Sequence, residues 1–342
     1  MLPPFGWQAA VTQWQQAPAV TAGVAVAAAA YLWGVARVAR RHPARPWPAW
    51  RTALFLTGLA VVVIALQSGI GRYDDVLFAD HMIQHLMLIM VAPAMLVTGQ
   101  PVTLLLHASR NPLHTWTKRA VRSRVVTWLT WPPVGVIAYT VTIIGTHLTR
   151  LMGLVITNPA LHAAEHALYL VVGYLFFLPL LGREPVRWRI SYPVRLIVLF
   201  LTMPVDTFTG LALGYSTTPP TGLGPRPAWA PSALSDLHSA GAVMWVGGDG
   251  IMFVLMMVVF LAWSRDGRIS VSGHGWLESA RRASFAGLTG SGPERETAGT
   301  VPDGHRRAAA TIDDDEHLAA YNAYLARINA AESRRNDAQA SE

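Results

Sequence analysis

The 342-residue chain contains no cysteine. That absence excludes disulfides, cysteine-type zinc sites and iron–sulfur clusters together. Lysine occurs once, as Lys118, in a loop between apolar runs. A retinal-type receptor needs a late-helix lysine for its Schiff base, so that class is excluded too. Charge is scarce: 14% of residues are charged and 52% are hydrophobic, where a soluble domain carries roughly a quarter charged residues. The formal charge is +7, but no basic patch is interleaved with aromatics, so nucleic acid is not an expected partner. The first residues lack a basic stretch followed by a cleavage site, and no removable signal peptide is expected.

What the chain does have is long apolar runs. Seven fall near 17–36, 52–70, 81–99, 125–148, 160–181, 193–215 and 238–263, each close to the ~20 residues needed to cross a bilayer. The expected fold is an all-α, polytopic membrane bundle of seven transmembrane helices, with the lipid bilayer as its first partner. The loops after runs one, three and five carry fourteen basic residues, among them Arg37, Arg45, Arg119 and Arg187, against Arg72, Arg150 and Arg226 on the other side. The positive-inside rule then places the N-terminus outside and the C-terminus in the cytoplasm of a cell-membrane protein. Three regions are expected: 1–50 with the first helix, 51–265 as the membrane domain, and 266–342 as a cytoplasmic tail. Within the tail, 284–312 is Gly/Ser/Thr-rich and expected to be disordered, and "DDDEHLAAYNAYLARINAAESRR" near 313–333 is expected to form a short solvated helix.

Six of the twelve histidines gather at one membrane face on this topology. His81 and His85 open run three, His147 closes run four, His162 and His166 open run five, and His238 opens run seven. The pairs His81/His85 and His162/His166 are spaced i, i+4, which puts each pair on one helix face. In "HAAEH" Glu165 sits three residues from one histidine and next to the other. Asp206 lies about 13 Å below the outer end of run six at 1.5 Å per residue, and Asp249 near the middle of run seven. Asp80 and Asp236 read as caps for runs three and seven. Pro93, Pro179 and Pro204 are expected to kink their helices.

A single histidine at a helix end is ordinarily an interfacial residue, and a lone membrane Asp is often a helix–helix hydrogen-bond partner. Six imidazoles on one face, four of them in i, i+4 pairs, point instead to a metal centre. Its candidate ligands are His81, His85, His162, Glu165, His166, His147, His238 and Asp206. Imidazole with carboxylate suits zinc, copper, iron or nickel; with no thiolate available, copper is the first expectation and zinc the second. Bis-histidine haem and a proton or ion path through Asp206 and Asp249 are the rival readings. The arrangement is not a zincin motif, and no hydrolytic role follows.

"HMIQHLMLIMVAPAMLVTGQP" (81–101), "NPALHAAEHALYLVVGYLFFLPLLG" (158–182) and "DLHSAGAVMWVGGD" (236–249) resemble the third-, fifth- and seventh-helix signatures of the CtaG family, seven-span assembly factors for caa3-type cytochrome c oxidase. The resemblance covers about residues 50–265, and the fifth-helix motif, with His162, Glu165 and His166, is its most specific part. Ala94 stands where the pattern carries a second proline. The seventh-helix pattern often has another residue at His238, which makes it a weaker ligand candidate than the two pairs. The resemblance implies a non-enzymatic protein that helps copper into the oxidase. Its implied partners are the oxidase catalytic subunit and an extracytoplasmic copper donor; a metal-free scaffold for oxidase subunits is the alternative.

Overall fold

A computed structural model describes residues 2–188, 190–219 and 226–265. The expected tail disorder and the helix near 313–333 lie outside the described residues. Among those residues the chain is all-helical. Six continuous helices are long and apolar enough to cross a membrane: α1 (Pro18–Arg41), α2 (Ala49–Tyr73), α3 (Phe78–Ala108), α5 (Pro159–Leu181), α6 (Tyr192–Gly214) and α7 (Ala233–Arg265). The seventh candidate is α4 (Pro132–His147), which joins Leu151–Thr157 at a bend of 72°. The chain is therefore a membrane protein of six or seven spans.

The largest departure from the sequence reading is at run 125–148. It is not one helix: Arg124–Leu129 ends at Thr130, and Pro132 and Pro133 open α4 after the extended Trp131. Proline is at ease at the first helical position and fixes its own φ, so "TWPP" starts a new helix.

The helices are apolar nearly all round, as membrane spans are. Ile137, Val141, Leu168, Val171, Ile197, Phe200, Phe208 and Phe253 are exposed, on surfaces suited to lipid. Buried polar groups and large rings are turned inward, with Tyr139, Tyr169, Phe176 and Phe177 in the core. The middle of the bundle is α3. It packs on α2, α5 and α7, while α4 contacts α5 and α6, and α6 contacts α7.

Both α3 and α7 contain a π turn, at Met87–Val91 and Val243–Gly247. In α3 the Ala92 N–H reaches back five residues to the Met87 carbonyl. Pro93 follows directly and has no N–H to offer the Ile89 carbonyl one α-turn back. That carbonyl lies against Gly173 of α5, where an added Cβ would come within 2.0 Å of it. A hydrogen side chain at 173 is what lets α5 and α3 approach this closely. The α6–α7 crossing uses the same device twice, with Gly210 and Gly241 each facing the other's carbonyl.

Two helix starts are capped by acids from distant parts of the chain. Ser232, not Asp236, caps α7, by accepting from the Ser235 N–H. Asp236 instead accepts from the Phe78 N–H (2.8 Å) and Ala79 N–H (3.2 Å) at the start of α3, and Arg226 Nη2 holds it at 2.7 Å. Asp80, read as the cap of run three, does not cap it. Further along α3, Gln100 takes a left-handed conformation (φ 54°) and Pro101 restarts the helix. There Glu184 accepts from the N–H groups of Val102 (3.0 Å) and Thr103 (2.8 Å). Each cap satisfies donors that a helix start leaves unpaired.

Candidate metal centre

α3 begins "FADHMIQHL", and its i, i+4 spacing brings His81 and His85 onto one buried face with ring centroids 4.1 Å apart. α5 begins "NPALHAAEH": Asn158 caps it by accepting from Ala160 N–H (3.0 Å) and Leu161 N–H (3.3 Å), with Pro159 next. Successive residues project about 100° apart round a helix, so Glu165 and His166 leave α5 in different directions. That angle divides the "HAAEH" motif between two groups.

Glu165 turns toward α3. Its Oε2 lies 3.4 Å from His85 Nε2 and 4.0 Å from His81 Nε2. One ligand atom from each of His81, His85 and Glu165 falls within 4.8 Å of the others. All three residues are buried, at 3%, 2% and 5% exposure. His162 and His166 turn the other way and form a second group with Asp74, from the turn between α2 and α3. There His162 Nε2 lies 3.8 Å from Asp74 Oδ2, and His162 Nδ1 lies 3.8 Å from Asp75 Oδ1. Burial, with the neighbouring Asp75 charge second, pushes the Asp74 carboxyl up to about 8.

The hydrogen bonds fix which ring nitrogens carry lone pairs. His147, at the end of α4, contacts the Ile143 carbonyl through Nδ1 at 2.9 Å. A carbonyl only accepts, so Nδ1 carries the proton and Nε2 the lone pair. That Nε2 faces His85 Nδ1 at 3.4 Å, which makes His85 Nδ1 the donor and leaves the lone pair of His85 on Nε2. Gln84 donates to the Ala65 carbonyl at 3.0 Å, so its oxygen accepts from His166 Nε2 at 2.9 Å. The lone pair of His166 is then on Nδ1. Tyr169 packs against His85 in a tilted arrangement, ring centroids 4.2 Å apart, and hydrogen-bonds Thr146 at 2.6 Å, holding the ring in place. Oriented imidazoles of this kind are how proteins prepare metal ligands.

What remains is a mismatch. His85 Nε2 and Glu165 Oε2 are buried, mutually facing, and both lack a hydrogen-bond partner among the described residues. A lone pair facing a carboxylate oxygen is repulsive unless a proton or a cation lies between them. Two ligands about 2.0–2.2 Å from one ion at the tetrahedral angle are about 3.3–3.6 Å apart, and the His85–Glu165 separation falls in that range. The donor set therefore fits a transition-metal ion.

The other sequence candidates stand elsewhere. His238 is exposed, and its Nε2 contacts the Ser216 carbonyl at 2.9 Å. Asp206 is fully buried, and both its oxygens accept from the Tyr139 hydroxyl (3.0 and 2.9 Å). His147 adjoins the centre through His85. The sequence reading passed over Asp74, Gln84, Thr146 and Tyr169. For Asp74 the available signal was the pair of adjacent acids in "RYDD" just past run two.

The fold and the site define a class: a helical membrane protein with buried imidazole and carboxylate side chains gathered at one end of its bundle. Within that class the chain belongs to the cytochrome c oxidase caa3 assembly factor family, Caa3_CtaG, whose model matches residues 29–266. Among curated proteins it is similar to the uncharacterized protein Mb0105 of Mycobacterium bovis, with 30% identity over 268 residues, covering 75% of this chain and 40% of that protein. It is also similar to the uncharacterized protein ML1998 of Mycobacterium leprae, with 28% identity over 271 residues, covering 76% and 41%. The chain thus spans about two fifths of the length of these relatives. No solved structure matches it.

Proposed function

We propose that this protein is a non-enzymatic assembly factor of the cell membrane that carries copper to the catalytic subunit of cytochrome c oxidase. Family membership supports the assembly role. The observation that carries the copper reading is the pair of unpartnered atoms, His85 Nε2 and Glu165 Oε2, with His81 beside them. Copper is cargo here. His81, His85 and Glu165 would hold it, and His147 would orient His85 from behind. Two imidazoles and one carboxylate leave room for a further ligand, as a carrier that must release its ion requires. On the expected topology the site faces the outside, where an extracytoplasmic donor can load it.

Haem gains less support. His85 is flanked by His81, Tyr169 and His147 at ring distances of 4.1, 4.2 and 5.4 Å, which leaves no slot for a macrocycle beside it. The test is metal content. Purified protein loaded with copper and desalted is expected to retain it, and the double variant His81→Ala, His85→Ala is expected to retain one equivalent less. Equal copper in both proteins would overturn the proposal.

A further inference from the structure

The buried trio has an access problem. His81, His85 and Glu165 are each at least nine-tenths enclosed, so an ion from water cannot meet them directly. The second group is placed differently. Asp74, His162 and His166 line a cavity of about 550 Å³ between α1, α2, α3 and α5, with Gln15 and Asp75 at the same end and Val20, Val24, Leu66 and Leu170 among its apolar walls.

This group is prepared for a cation in its own right. His162 sits between two carboxylates at 3.8 Å on each ring nitrogen, too far for a hydrogen bond, and its Nε2 has no partner among the described residues. The His166 lone pair is freed on Nδ1 because Nε2 is spent on Gln84. Two imidazoles and one carboxylate, without a ring of carbonyl oxygens, select a borderline or soft transition ion over calcium or magnesium.

The two groups adjoin. The His81 and His162 rings are 5.2 Å apart at 30°, and those of His85 and His166 are 6.4 Å apart. An ion can move between them by exchanging one imidazole for the next, without crossing apolar surface. We propose that Asp74, His162 and His166 form a second transition-metal site, which takes the ion from the cavity and passes it to His81, His85 and Glu165. The proposal rests on the reading of the buried trio as a copper site. The transfer is ligand exchange alone: no electron moves, and the ion keeps its oxidation state.

The experiment is an anaerobic titration of the full chain in detergent with cuprous ion, competed against a chromophoric chelator and followed in time by stopped flow. Wild type is expected to bind two equivalents. Asp74→Asn with His162→Gln is expected to bind one, and to load it at least tenfold more slowly. His81→Gln with His85→Gln is expected to bind one at the wild-type initial rate. Asp74→Glu, which keeps the carboxylate, is expected to restore the second equivalent, and helicity and gel filtration confirm folding. A wild type that binds one equivalent, or an Asp74→Asn, His162→Gln variant with unchanged stoichiometry and rate, would overturn the second site and leave the buried one standing. Two equivalents retained by His81→Gln, His85→Gln would instead overturn the buried copper site.

Discussion

His85 Nε2 and Glu165 Oε2 face each other across 3.4 Å inside the bundle, and neither has a hydrogen-bond partner among the described residues. This relationship is what distinguishes the proposed metal centre from a structural polar contact. In Glu165→Gln the amide can donate to His85 Nε2 and satisfy it. The metal-free protein is expected to be as stable as wild type or more so, by up to about 1–3 kcal/mol. Copper affinity is expected to fall at least tenfold, because a neutral amide is a poor ligand. Thermal unfolding of the metal-free protein and chelator competition measure the two effects. Loss of stability with copper affinity unchanged would mark Glu165 as a structural residue.

The structure separates His238 and Asp206 from the centre. His238→Ala is expected to leave copper content at the wild-type level, since that ring is exposed and contacts the Ser216 carbonyl rather than the buried trio. Asp206→Ala is also expected to keep copper, but to destabilise the bundle by about 1–3 kcal/mol, the cost of a buried donor left without its acceptor. The donor is the Tyr139 hydroxyl. Metal analysis and thermal unfolding of the two variants check this, and a copper loss in either would return that residue to the ligand set.

Asp236 ties the start of α3, and so the height of His81 and His85, to α7. Asp236→Ala removes two N–H partners and unpairs Arg226. It is expected to cost about 2 kcal/mol, the upper end for a helix cap. Ser232→Ala removes a single cap contact and is expected to cost about 0.5–1 kcal/mol. Thermal unfolding in one detergent compares them, and equal losses would show that the long-range cap adds nothing to a local one.

The membrane class, the approximate positions of six spans and the histidine-bearing end were legible because they rest on local pattern: apolar length and i, i+4 spacing. Run 125–148 misled because its hydropathy stays high through Trp131, Pro132 and Pro133, while the backbone must restart at the prolines. The division of "HAAEH" was out of reach of the sequence. Which way Glu165 and His166 point is set by helix phase, but what they meet depends on which helices are neighbours. Asp74 and Gln84 join the centre only through that packing. Asp236 looked like the cap of its own helix because nothing local says that it reaches residues 158 and 157 positions away. Orientation across the bilayer rests on the arginine pattern alone.

Close helix approach gives a prediction independent of any metal. A Cβ at Gly173 would lie 2.0 Å from the Ile89 carbonyl and 2.7 Å from Pro93 Cγ. The carbonyl belongs to a backbone already bent round a π turn, so it cannot yield as a flexible side chain would. Gly173→Ala is expected to push α5 away from α3 and destabilise the protein by about 1–3 kcal/mol or more, the usual cost of overpacking. The same shift moves Glu165 relative to His85, so copper affinity is expected to fall as well, although residue 173 touches neither group. Gly145→Ala is the control: a Cβ there meets nothing within 4 Å, and a helical Gly→Ala change at an open position is expected to be neutral or stabilising by up to about 1 kcal/mol. Thermal unfolding and copper titration of the two variants test the contrast. If Gly173→Ala kept both stability and affinity, the α3–α5 contact would not be what sets the geometry of the centre.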